Sequence, residues 1–267
     1  MTPTVGFVLL THARPRMIRR LADRLGQMFG GPPVVCHHDF SKCDLPVEEF
    51  PPNVSFVRPH TVTGWGEFAT TEATVRAVRQ LYEGPGGPDW FVLLSGADYP
   101  VKPAASILED LRSADCDAFI HHEPIRAGAF ENDWQGLCHW RYCAPEPNPF
   151  TPEFRCFAGS QWFTAGRRAA EHIIAFHEKN PDTVDRFRGL KLTEECYFQC
   201  VLANEPRLRL RNESLRYTDW SAGGSHPKTL TTEDLPALLA TRAHFARKFD
   251  DEVDARVLDE LDAVVGP

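Results

Sequence analysis

Residues 5–40 read "VGFVLLTHARPRMIRRLADRLGQMFGGPPVVCHHDF". The first eight residues are a continuous apolar run of strand length and composition. The next stretch spaces Met17, Ile18, Leu21, Leu25 and Met28 along one helical face. Gly30, Gly31 and two prolines stop that helix, and "PVVCHHDF" starts a second strand. Strand, helix, strand within one short segment predicts a βαβ unit, with parallel strands covered on both faces.

The same rhythm continues. "VSFVRP" (54–59) reads as a third strand and "EFATTEATVRAVRQLYEG" (67–84) as a helix ending at Gly84. "DWFVLLSGADYP" (89–100) is an apolar strand running into a turn. "AASILEDLRSA" (104–114) is a helix and "CDAFIHH" (116–122) a strand. From about Glu123 to Thr151 the pattern breaks into a long segment rich in Trp, Pro and Asn, of the kind that carries function in a compact domain. Then come a short strand and helix from "GSQWFT", a helix in "TEECYFQCVLANEP" with Thr193 as its N-cap, and an alternating strand in "RLRLRNESLRYTDW". A glycine-rich loop leads to a helix capped by Thr231 or Thr232, and an amphipathic helix closes the chain. With no internal repeat or linker, residues 1–267 are expected to form one domain. Residues 1–122 would make a nucleotide-binding half and 123–267 an acceptor and catalytic half.

The chain has 267 residues, 42% of them hydrophobic, and a net charge of −8. That excludes a global basic field for nucleic acid or an anionic membrane, so any anion site must be local. No stretch reaches the length of a membrane span, and the N-terminus lacks the features of a signal peptide. A cytoplasmic protein is expected, with peripheral membrane contact left open. The eight cysteines form no CxxC pair and show no zinc-type spacing, so they are read as reduced thiols. "CHHDFSKC" offers His37, His38 and Asp39 as an alternative metal set.

Doubly wound sheets bind ligands beyond the carboxyl ends of their strands. Here those ends are "LLTHARP", "CHHDFSK" and "LLSGADYP", all polar. A turn explains Gly96 and Pro100 as well as a ligand would; it explains Asp98 less well. Glu194 and Glu195 enter an apolar helix side by side. By themselves they are either first-turn acids favoured by the helix dipole or a pair containing a base.

"FVLLSGADYPVKP", "GSQWFT", "EECYF", "RYTDW…GGSHPKTL" and "FARKFD" occur in this order and spacing. Together they resemble the core-2/I-branching β-1,6-N-acetylglucosaminyltransferases and peptide xylosyltransferases, glycosyltransferase family fourteen, in a bacterial-type form. The resemblance covers nearly the whole chain. It implies a GT-A type nucleotide-sugar transferase fold, α/β with a mostly parallel central sheet flanked by helices. It further implies an inverting transfer of sugar, with N-acetylglucosamine first in line, from a UDP-sugar to a hydroxyl of a glycan or small-molecule acceptor. No cofactor and no metal are expected. Two cations, Lys228 and Lys248, would neutralise the diphosphate where other enzymes use an ion. Glu195 takes the general-base position and Glu194 replaces the usual Asp, with Thr193 where the family has Pro. Burial beside Tyr197 and Phe198 would raise the pKa of Glu195. His12 and Asp39 match positions near uracil and ribose, and Ser95 and Asp98 lie where many GT-A enzymes carry a metal-binding DxD. Trp220 matches an acceptor-side aromatic, Glu123 opens the acceptor loop, and Trp65 is read as structural as readily as sugar-stacking.

The middle loop departs from the animal branching enzymes, so acceptor identity does not carry over. Three other readings compete: a catalytically inactive nucleotide-sugar-binding protein, a UDP-xylose-dependent xylosyltransferase, and a metal-dependent hydrolase built on "CHHDF" and Asp98.

Overall fold

In the computed structural model, which describes residues 2–84, 86–126, 133–224 and 226–266, the opening apolar run forms β1 (Val5–Thr11), buried along nearly all its length. α1 (Pro15–Phe29) buries the five apolar residues that its spacing predicts, together with Ala22. Pro15 is pre-set for the first turn. Gly30, at φ 67°, ends the helix by donating its N–H to the Gly26 carbonyl. β2 (Val34–His38), β3 (Val54–Phe56), α2 (Phe68–Tyr82), β4 (Trp90–Ser95), β5 (Asp98–Pro100), α3 (Ala104–Arg112) and β6 (Ala118–Phe119) follow. The rest of the chain adds β7 (Glu123–Pro124), α4 (Trp134–Cys138), β8 (Phe157–Ala158), β9 (Thr164–Gly166), α5 (Arg167–Lys179), α6 (Pro181–Arg188) and α7 (Tyr197–Ala203). Last come β10 (Leu210–Arg211), β11 (Arg216–Thr218), α8 (Leu235–Ala240), β12 (Phe245–Arg247), α9 (Asp251–Asp254) and α10 (Arg256–Val265).

Seven strands make the main sheet, in the order β10–β6–β9–β4–β1–β2–β3. β4, β1, β2 and β3 are parallel, as are β10 and β6, while β9 runs against both its neighbours. One face packs on α2, α5, α6 and α7 through Phe91, Phe163, Phe187 and Tyr197. The other packs on α1, α3, α8 and α10 through Phe7, Ile107, Leu238 and Leu258. Residues from both sides of position 122 contribute to both cores. A mixed α/β fold with a mostly parallel sheet flanked by helices is thus what the sequence rhythm and the resemblance imply. The strand order sets the carboxyl ends of β4, β1 and β2 side by side.

Four local expectations change. The aromatic segment after Glu123 is not all loop: it holds β7, α4 and a π-helical turn at His139–Cys143, and its residues 127–132 lie outside the described residues. "RLRLRNESLRYTDW" is two strands in two sheets, because the chain turns at Glu213, whose N–H bonds back to the Arg211 carbonyl, and at Leu215, with φ 52°. "FARKFD" contains a strand, β12, which joins β11 and β5 in a second sheet. Thr193 does not cap a helix. Its hydroxyl meets that of Thr71 at 3.3 Å, and Thr193–Glu195 is a 3-10 turn ahead of α7.

Gly159 locks this turn to the β7–β8 ribbon, donating its N–H to the Glu195 carbonyl at 2.8 Å. A Cβ there would fall 1.9 Å from the His121 carbonyl oxygen. Gly159→Ala is therefore expected to cost about 1–3 kcal/mol in urea unfolding. Gly26→Ala, where a Cβ meets nothing within 4 Å, should instead stabilise the helix by about 0.5–1 kcal/mol.

Candidate active site

Three strand ends build the floor. Asp39, just past β2, is fully buried. One carboxylate oxygen accepts from the N–H and hydroxyl of Ser41, at 3.1 and 2.6 Å, and the other from those of Thr63, at 2.8 and 2.9 Å. Burial alone would raise this carboxyl, but the four donors outweigh it and hold it well below the carboxylate range. Asp39 thus clasps Ser41 and the loop at Thr63 to the end of β2. The neighbouring histidines are engaged too. His37 Nε2 accepts from the Thr61 N–H at 2.9 Å, and His38 spans Thr11 Oγ1 at 2.8 Å and the Cys43 carbonyl at 2.7 Å. The alternative metal set His37, His38 and Asp39 is spent on folding. His12 lies beyond β1, exposed. Partial desolvation, then the charge of Lys42, hold its imidazole below the ordinary value against the pull of Asp39; His38 and Lys248 add to the lowering.

Ser95 and Asp98 do not form an open metal site. Asp98 is fully buried and accepts from the Ser95 N–H at 2.8 Å and from the Ser95 hydroxyl. Arg216 Nε lies 3.2 Å from one of its oxygens and Arg247 Nε 3.5 Å from the other. Arg216, on β11, also donates to the Leu93 carbonyl of β4 at 3.0 Å. Burial pushes its guanidinium down to about 10, with Asp98 pulling the other way, so it stays charged at neutral pH. Arg247 lies over the Trp162 ring, 4.4 Å from the centroid. Two guanidiniums share one carboxylate, which leaves one positive charge uncompensated.

Lys248 follows Arg247. It is half-buried and pairs with no carboxylate among the described residues. Burial, then the charge of Arg247, lower its pKa. The charges of Lys248 and Arg247, with desolvation between them in size, likewise hold His226 below its ordinary value. Lys228, by contrast, is committed: its Nζ donates to Asp234 Oδ1 at 2.7 Å, while the other Asp234 oxygen serves the capping box with Thr231. The sequence reading named Lys228 and Lys248 and missed Arg216 and Arg247. The Arg-Lys pair in "FARKFD" was the available signal for Arg247; Arg216 had none, since an arginine in an alternating strand reads as solvent-facing.

"GSQWFT" carries the floor to the second cluster. Trp162 underlies Arg247, and Gly159, three residues earlier, binds the Glu195 carbonyl. The turn bearing Glu194 and Glu195 starts at Leu192, in the left-handed region at φ 54°, a conformation that costs a non-glycine residue roughly 1–2 kcal/mol. Two bonds hold it there: Leu192 N–H to the Gly66 carbonyl at 2.8 Å, and Tyr142 O–H to the Leu192 carbonyl at 3.0 Å. Burial raises Glu195, as the sequence reading expects, but the two acids differ in exposure. Glu194 is the buried one; desolvation, with help from Glu195, raises it to about 7, and its Oε2 has no hydrogen-bond partner. Glu195 keeps a side chain 44% exposed, with Arg141 Nη1 3.6 Å from its Oε2. Desolvation raises it too, and Arg141 opposes the rise.

Two exposed tryptophans adjoin residues that contact this turn: Trp65 precedes Gly66, which binds Leu192, and Trp140 precedes Arg141, which faces Glu195. Trp65 is 74% exposed, Trp140 70%, and Trp134 approaches His121 with ring centroids 6.4 Å apart. Trp65 is thus no core residue. Glu123 sits on β7 with His121 Nε2 3.4 Å from its Oε1, on the ribbon that Gly159 ties to Glu195. Trp220 is 55% exposed beyond β11, at the start of the loop leading to Lys228.

A mostly parallel sheet flanked by helices, with Arg216, Arg247 and Lys248 gathered near the end of β4, defines a GT-A-like α/β protein. The family described as Core-2/I-Branching enzyme matches residues 36–240, and the chain belongs to that family. It is 27% identical over 194 residues to β-glucuronosyltransferase GlcAT14A of Arabidopsis thaliana, covering 65% of this chain and 42% of that protein. GlcAT14B of the same plant is 28% identical over 71% of this chain and 47% of its own length. Xylosyltransferase 2 of Rattus norvegicus is 25% identical over 79% of this chain and 27% of its own. The chain spans about half or less of the length of these curated relatives. Among the described residues no helix is long and apolar enough to cross a membrane.

Removing the shared carboxylate leaves two buried cations facing each other. Asp98→Asn is expected to destabilise the protein by about 3–5 kcal/mol, read as a shift in the denaturant midpoint with an unchanged slope.

Proposed function

We propose that this chain is an inverting, metal-independent glycosyltransferase that moves a sugar from a UDP-sugar to a hydroxyl on a glycan or small-molecule acceptor. The observation that carries this reading is the uncompensated positive charge at the carboxyl edge. Arg216 and Arg247 share Asp98, and Lys248 has no anionic partner among the described residues. A leaving diphosphate develops negative charge, and fixed cations at that point lower the barrier more than they bind the ground state. Lys248 meets the diphosphate in this proposal, and Arg247 backs it. Lys228 joins only by leaving Asp234. His12 borders the donor at the end of β1.

Glu195 is the proposed base. It is open to an acceptor, and a base on the side away from the leaving group suffices for inversion. Arg141 beside it steadies the carboxylate. The buried, uncommitted oxygen of Glu194 supports a second reading in which Glu194 takes the proton. The donor sugar is narrowed by the relatives' names: glucuronosyl and xylosyl transfer stand ahead of the N-acetylglucosaminyl transfer that the motifs alone put first.

Turnover against UDP-glucuronic acid, UDP-xylose and UDP-N-acetylglucosamine, followed as UDP release, tests the whole reading. Glu195→Gln is expected to lower kcat by about a hundred- to ten-thousand-fold, with UDP affinity nearly unchanged, while Glu194→Gln is mild. The reverse pattern assigns the base to Glu194. Lys248→Ala should lose UDP binding, and turnover after brief EDTA treatment should need no added Mn²⁺ or Mg²⁺. A strict requirement for either ion would remove metal independence from the proposal.

Trp220→Ala should raise the acceptor KM or lower kcat while acceptor-free hydrolysis of the donor stays within a few-fold. Because more than half of Trp220 is exposed, its melting temperature should hardly move. A fall in donor hydrolysis together with a large loss of stability would place Trp220 outside the acceptor site.

A further inference from the structure

Three of the eight cysteines converge beside the Glu194–Glu195 turn, and a fourth lies next to them. Cys196 closes the turn and Cys200 lies one helical turn further on. Cys156 leads into β8, and Cys143 ends the π-helical turn. The sulfurs of Cys156, Cys196 and Cys200 all lie within 4.8 Å of one another, and all three residues are buried. Cys196 Sγ and Cys200 Sγ are 3.6 Å apart. Cys143 lies beside Cys156, outside the three sulfurs that all lie within 4.8 Å of one another. A zinc ion bound to four thiolates at about 2.3 Å has neighbouring sulfurs about 3.8 Å apart; a disulfide holds them at about 2.05 Å. The 3.6 Å between Cys196 and Cys200 is close to the first spacing and far from the second. Phe157 N–H donates to Cys200 Sγ at 3.2 Å, an outer partner of the kind that orients ligands.

We propose that Cys156, Cys196 and Cys200 form a structural site for one zinc ion, with the neighbouring Cys143 turning in as the fourth ligand. Four sulfurs fill a tetrahedral shell and leave no position for substrate, so this ion takes no part in handling a diphosphate. Binding expels the thiol protons and ties together the π-helical turn, the approach to β8 and the start of α7. Those three segments carry Arg141, the Gly159 contact and Glu195. Sequence spacing conceals the group, because twelve residues separate Cys143 from Cys156 and thirty-nine separate Cys156 from Cys196.

The test is the metal content of the full chain, purified without chelating resin and measured by plasma mass spectrometry. About one zinc per chain is expected, released to a metallochromic dye when a mercurial blocks the thiols. Cys156→Ser and Cys200→Ser should hold less than about a tenth of that zinc, while Cys43→Ser, outside the group, should keep it. If the first two variants fail to fold, the wild-type chain decides. A zinc-free wild type with eight free thiols in denaturant overturns the proposal, as does a disulfide among these four residues in non-reducing peptide mapping.

Discussion

Asp98 is the charge on which the rest of this structure turns. Its carboxylate is fully buried, yet it faces Arg216 and Arg247 from two strands of the small sheet. Arg216 in turn donates to Leu93 in the main sheet. One anion therefore joins β4 and β5 to β11 and β12, two parts of the chain more than a hundred residues apart. Buried ion groups are weak evidence of net stability, but removing one member is costly because the others are left without compensation. Here the imbalance points one way: two cations to one anion, with Lys248 added next door.

The second cluster depends on backbone geometry more than on charge. Leu192 adopts a left-handed conformation that a non-glycine side chain disfavours, and it is held by Gly66 from a loop and Tyr142 from the π-helical turn. Such strain persists only where surrounding contacts over-determine it, and it gathers at functional sites. Its effect is to present two adjacent acids differently. Glu194 turns inward and is pushed up to about 7, while Glu195 stays open beside Arg141. The run from Gly159 to Trp162 joins this turn to Arg247.

Much of the fold was legible because hydrophobic periodicity reports burial directly. β1, α1, β2, β3, α2 and β4 fall where their patterns put them. The misreadings share one cause, which is that local pattern carries no information about partners. The alternation in 207–220 is real on both halves, but Glu213 and Leu215 turn the chain so that the halves join different sheets. "FARKFD" is too short and too charged to read as a strand, and forms one because β5 and β11 supply its ladder. Thr193 resembles an N-cap, but Thr71 takes its hydroxyl.

The sequence by itself determined the α/β class, the polar strand ends and the family, since these rest on periodicity and on motifs kept in order. Only the tertiary structure decided what each polar group is free to do. Asp39 and Asp98 look alike as strand-end carboxylates, yet four donors hold one and two guanidiniums engage the other. Lys228 and Lys248 look alike as basic residues of one motif set, yet Asp234 captures the first and no carboxylate among the described residues meets the second. Availability depends on which donors and charges lie within about 3–4 Å, and the chain fixes those distances only when distant segments pack.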